Sequence, residues 1–148
     1  MQVVINQLDL LLKVAFESIS RMEEEELSEK SSPERWSKKE MLGHLVDSAT
    51  YNLQRFNEAQ FHTQPYIVRP YNQDEMVKAN HYQTANSLDI LGCFLALNHR
   101  IRYVVQQLSN DVLSYAVELP DGKVSDLRFL IMDYVTHLAH HVSQIKRA

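Results

Sequence analysis

Histidine carries most of the reactive potential in this 148-residue chain: there are seven, and His137, His140 and His141 fall within five positions. On a helix, residues four apart share a face, so His137 and His141 aim two imidazoles at one point. His140 points about 60–100° away from them. With Ile131 at the centre of the local apolar stripe, the pair lies on its flank beside Leu130 and Tyr134, a half-buried position in a bundle. Partial desolvation there favours the neutral imidazole, the form that ligates a metal. The ordinary alternative is that such pairs sit at a surface or are satisfied by neighbours. Two histidines leave a coordination shell incomplete, because zinc-type catalytic sites take three protein ligands plus a water, often with the third from another element. His44, two turns into a separate helix, is the candidate for that third position. An ideal wheel places it off the densest aliphatic stripe, alongside Ser48 and Tyr51. Either its helix is buried on two sides or His44 faces solvent. Ligation needs unprotonated imidazoles, so at ordinary pKa values occupancy should fall between about pH 7 and 5.

Two familiar metal patterns are excluded. The run His137-Leu138-Ala139-His140-His141 lacks the Glu that follows the first His of a zincin. No Glu-x-x-His occurs, so the carboxylate di-iron arrangement is absent. Asp133, one turn before His137, could orient that ring or act as a base, although a surface carboxylate is its simpler reading. Tyr51 could donate to an oxyanion but reads first as a packing residue. Gln144, three beyond His141, is placed to hydrogen-bond a ligating imidazole from behind. Cys93, beside Phe94 and Leu95, reads as a small buried hydrophobe rather than a nucleophile. His62 and His81 read as surface residues of a long connection, His99 and Arg100 as solvent-facing, and Trp36 as an anchor for a loop.

Four long segments have the period needed to position these groups. Leu8, Leu11, Leu12, Ala15, Ile19 and Met22 form one helical stripe. The run Glu23–Glu26 after it reads as a solvated, fraying end that opposes the macrodipole, and 27–36 as a loop. Ser37 with Glu40 is a capping-box signature for a second helix running to about Ala59. Residues 60–86 hold Pro65 and Pro70 and no sustained period, with a short helix expected near Asn72–His81. A connection of that length serves as a lid or a crossover. The third helix spans about Ser87 to Leu108. Asp121-Gly122 marks a turn that could close a small hairpin, and no strand longer than about four residues, nor any outside 114–124, is expected. Ser125 can cap a fourth helix that runs through Ile145. These elements predict an all-α fold, a four-helix bundle over 1–148 with one long connection between helices 2 and 3.

Composition narrows the function classes. With 15 Lys+Arg against 19 Asp+Glu, the net charge of −4 gives no attraction to phosphate backbones and argues against a nucleic-acid partner. Three Gly and four Pro are too few for a turn-dense β-sandwich. One cysteine permits no internal disulfide, and the N-terminal segment, with Asn6, Gln7, Asp9 and Lys13, is neither a signal peptide nor a membrane span. The expectation is a cytoplasmic protein with no membrane partner.

Arg35-Trp36-Ser37, followed by Glu40-Met41-Leu42-Gly43-His44-Leu45-Val46-Asp47-Ser48, resembles the second-helix signature of the DinB-like superfamily. The ending His137-Leu138-Ala139-His140-His141-Val142-Ser143-Gln144-Ile145 is similar to that family's H-x-x-H-H-x-x-Q-I motif. Pro70-Tyr71-Asn72-Gln73-Asp74 is similar to the long connection of its YfiT-like branch. The resemblance implies a single DinB-like bundle in which His44, His137 and His141 form a three-His site for a divalent metal, nickel or zinc. It further implies a metal-dependent hydrolase or a thiol-dependent transferase acting on a small molecule, with a low-molecular-weight thiol as one candidate, and a homodimer. The competing readings are a bundle whose metal is only a structural clip, and a dimerising module in which the histidines are incidental.

Overall fold

The computed structural model describes residues 1–147. Ile5, Leu8, Leu12, Ala15 and Ile19 recur three and four apart and form the buried edge of α1 (Gln2–Ile19). The acidic run does not fray: it nucleates a short α2 (Glu24–Ser28), pinned by buried Leu27 and by ion pairs of Glu24 with Lys39 and Glu26 with Lys38. Negative side chains in the first turn of α2 suit its positive helix end, which the view of them as the tail of α1 had overlooked. The second long helix, α3 (Lys38–Glu58), begins at the expected capping box. The Glu40 backbone N–H donates to Ser37 Oγ and the Ser37 N–H donates to Glu40 Oε2, at 3.1 and 3.0 Å.

The long connection contains β1 (Tyr66–Ile67) and α4 (Gln73–Ala79), which Asn72 caps through the Glu75 N–H, then a single 3-10 turn at Tyr82–Thr84. It is fastened to α3 at several points, among them Tyr66 to Glu58, the Arg69 carbonyl to Arg55, and a cluster at Asp47. The Tyr82 ring lies against Gly43, where any Cβ would overlap it, and its hydroxyl donates to Asp47 Oδ1 at 2.7 Å. Asn80 Nδ2 donates to the same oxygen at 2.8 Å.

Next come α5 (Ser87–Gln106), capped by Asn86, and the short α6 (Asn110–Leu113). The hairpin of β2 (Ala116–Glu118) and β3 (Val124–Asp126) turns through Gly122, whose φ of 86° explains the glycine. The last helix is α7 (Leu127–Lys146). The strands make one three-stranded sheet in the order β1-β2-β3, with β1 parallel to β2 and Tyr66 opposite Val117. Two expectations are corrected here. β1 lies outside the 114–124 window, because a two-residue strand shows no alternation and its partner is some 50 residues away. β3 reaches Asp126, so Ser125 is paired in the sheet opposite Val117, and Asp126 caps α7 by accepting from the Phe129 N–H at 2.8 Å.

The four long helices form the bundle, with few strands beside it. α3 packs against both α5 and α7, and α1 packs against the same two, which sets α1 diagonally opposite α3 and α5 diagonally opposite α7. Phe56, Phe94, Ile101, Ile131 and Leu138 are among the fully buried side chains at the centre. Sandwiched between α5 and α7, α3 buries residues around much of its circumference, including His44, Ser48 and Asn52. Cys93, by contrast, is exposed. It lies about 80° around α5 from the stripe of Ile90, Phe94 and Ile101, so its apolar sequence neighbours gave a misleading context.

Candidate metal centre

His44 comes from the buried side of α3, and His137 and His141 from successive turns of α7. Their ligating nitrogens all lie within 4.8 Å of one another. His44 Nε2 and His137 Nε2 are 3.1 Å apart, and the three rings meet edge to face with centroids 4.6–5.1 Å apart. Nitrogens held 2.0–2.1 Å from a common ion are separated by about 3.0 Å at a right angle and about 3.4 Å at a tetrahedral angle. The observed 3.1 Å falls between these values, so His44 and His137 are spaced to share an ion, with the His141 nitrogen within 4.8 Å of both. His140, as its helical offset requires, points outward and is exposed.

All three imidazoles are held in the ligating form. Burial, reinforced by the positive charge His137 and His141 would carry, pushes His44 down to about 3. Burial and the neighbouring His141 and His140 push His137 to about 4, and burial lowers His141 as well. The proton loss that ordinary pKa values place at pH 7–5 therefore moves to more acidic conditions. On His141, Nδ1 lies 2.8 Å from Gln144 Oε1, and with the proton on Nδ1 it donates there and leaves Nε2 free as a lone-pair donor. His44 has no such partner: its Nδ1 is buried without a hydrogen bond. The His44 ring is instead fixed by packing, with Trp36 tilted over it at 4.8 Å between centroids. Trp36 thus anchors its loop and also roofs the histidine cluster.

The other candidates sort out plainly. Asp133 is exposed and makes no hydrogen bond to His137 among the described residues. Tyr51 packs, stacking on Tyr71 at 4.0 Å with the rings nearly parallel. His62, His81, His99 and Arg100 are exposed. Two features went unnoticed in the sequence. Asn98, fully buried, donates to the Phe94 carbonyl and accepts from Tyr134 Oη at 2.5 Å, tying α5 to α7 through the core. Arg55 stands on the histidine face of α3 and lines a cavity of about 550 Å³ together with Ser48, Asn52, Tyr71, Tyr134 and His137. An arginine amid a helical stripe looks like an edge residue until the 60–72 connection is seen folding over it.

The geometry defines a class: a four-helix bundle in which facing helices gather three neutral histidines beside a cavity. The family profile of the DinB superfamily matches residues 7–145, and the chain belongs to that superfamily. A protein of Halalkalibacterium halodurans, provisionally named a metal-dependent hydrolase, is 24% identical over 127 residues, covering 86% of this chain and 73% of its own. Among solved structures, YfiT from Bacillus subtilis, described as a probable metal-dependent hydrolase with an unusual four-helix bundle topology, superposes with a TM-score of 0.86. It is 21% identical, and the match covers 97% of this chain and 82% of that one. A mycothiol-dependent maleylpyruvate isomerase superposes with a TM-score of 0.78 at 16% identity, covering 97% of this chain but 60% of its own. These structural likenesses establish the fold.

Proposed function

We propose that residues 1–148 are one domain that binds a divalent transition metal, zinc or nickel, through His44, His137 and His141, and that it acts as an enzyme of hydrolase or thiol-transferase type on a small molecule. The observation that carries this reading is the convergence of three neutral imidazoles, one of them fully buried, with two Nε2 atoms 3.1 Å apart. Isolated core histidines ordinarily spend both nitrogens on protein partners, whereas here the nitrogens face one another. The relatives named for metal-dependent hydrolysis and for mycothiol-dependent isomerisation support a small-molecule substrate.

Bound in this set, the metal would supply a Lewis acid that activates water or a thiol near neutral pH. The chain's own residues do the positioning. α3 and α7 hold the imidazoles on rigid helices, Gln144 fixes the His141 tautomer, Trp36 keeps water from the His44 side, and the cavity beside His137 admits the substrate. Metal analysis of untagged protein tests the reading. About one equivalent should be found per chain, lost in His44→Ala and His141→Ala and kept in His140→Ala. An equal loss in His140→Ala would overturn the ligand set. Turnover against ester, amide and thiol-acceptor panels then separates an enzyme from a structural clip.

A further inference from the structure

The cavity beside His137 has a charged end that the metal reading leaves unused. His44, Ser48, Asn52 and Arg55 follow one another along a single face of α3, and a rise of 1.5 Å per residue puts Arg55 about 16 Å along the axis from His44. Arg55 is half-buried, and among the described residues no carboxylate forms an ion pair with it. The nearest acid in sequence on its helix, Glu58, is already engaged, accepting from Gln54 Nε2 and Tyr66 Oη at 2.8 Å each. Asp133, on α7, lines the same cavity and forms no ion pair with it among the described residues. Of the five N–H groups of the guanidinium, one is used in a protein hydrogen bond, to the Arg69 carbonyl at 2.6 Å. The aromatic rings of Tyr51 and Tyr71 lie 5.8 and 6.0 Å from the guanidinium carbon and hold it in place. A planar, oriented cation taken partly out of water and given no counter-charge is costly in the free protein and suited to a bidentate anion. Part of the wall is an apolar patch of Val68, Leu119, Pro120 and Leu130, beside polar Gln73 and Thr136.

We propose that Arg55 is the anion-binding end of this cavity, and that the substrate is a small molecule with an apolar body and a carboxylate or phosphate at the end remote from the histidines. The proposal rests on the reading of this cavity as the substrate site, and it names the class of substrate.

Binding is measured by calorimetry on the full chain after EDTA treatment, with succinate, inorganic phosphate and the uncharged succinamide as probes. At least one anion should bind, succinamide should not, and Arg55→Gln should weaken the anion at least tenfold. Succinate alone assigns a carboxylate, phosphate alone a phosphate. Arg69→Gln, which removes a nearby exposed cation, should bind as the parent does. Arg55→Lys keeps the charge without the fork, so it should lose severalfold while still preferring succinate to succinamide, and it carries the test should the Gln variant not fold. The proposal is overturned if neither anion binds at millimolar concentration, if succinamide matches succinate, or if Arg55→Gln retains the parent affinity. Because the metal has been stripped, these outcomes are independent of metal uptake, and either reading can fail alone.

Discussion

Lowering the pH from 6 to 5 should destabilise the metal-free protein by an amount set by the buried histidines. In the unfolded chain each imidazole titrates near 6.5, whereas in the folded protein burial holds His44 at about 3 and His137 at about 4. A depressed histidine contributes stability that is fully present above 6.5 and is lost as the pH falls towards the folded value, because only the unfolded chain takes up the proton. Between pH 6 and 5 the unfolded form gains affinity for acid worth about 1.2 kcal/mol per such histidine, so His44 and His137 together remove about 2.4 kcal/mol. That is a large share of the roughly 5–15 kcal/mol that holds a domain of this kind together. Urea unfolding followed by circular dichroism in EDTA, at pH 6.0 and 5.0, measures the loss. His44→Gln should lose about 1.2 kcal/mol less over the same interval, since one proton-binding site is gone and exposed histidines cancel in the comparison. Equal losses for parent and variant would refute the claim that His44 is held neutral by burial.

Three further outcomes follow from the packing. Gln144→Ala should weaken metal binding about 10–100-fold in a competition titration with a chelating dye, because the His141 tautomer is no longer fixed. Tyr134→Phe leaves the buried Asn98 carbonyl oxygen unpaired and should cost about 1–3 kcal/mol in urea melts. Gly43→Ala drives a Cβ into the Tyr82 ring and should cost about 1–3 kcal/mol. Much of that cost should vanish when Tyr82 is already Ala, which a double-mutant cycle reads directly.

The sequence was informative wherever a signal is local. Ser37 and Glu40 lie three residues apart and close their capping box within one turn, so the start of α3 could be placed to the residue. His137 and His141 share a face by helical geometry alone, which also separated them from His140. The burial of His44 was open for a physical reason: a wheel assumes one core face, and α3 has two because α5 and α7 both flank it. Cys93 shows the converse error, in which apolar neighbours along the chain outweighed the angle around the helix. Tyr82, Asn98 and Arg55 owe their roles to partners or walls distant in the chain, and no periodicity reports those.

Because α1 sits diagonally opposite α3, α3 abuts α7, and the cluster brings His44 to His137 across 93 positions of chain. One of the three histidines is therefore translated long before the other two exist. While the chain is being made, an unpaired His44 on α3 can offer a passing ion only one nitrogen, and the ring gains its companions only once the final helix has been synthesised and has swung back across the bundle. Closing so wide a span carries an entropic penalty in any unfolded form, so capture of an ion at the proposed site would be coupled to completed folding rather than to any local fragment. Selection of the metal would then be made by the finished protein, from whatever the surroundings offer after synthesis, and not by the emerging chain.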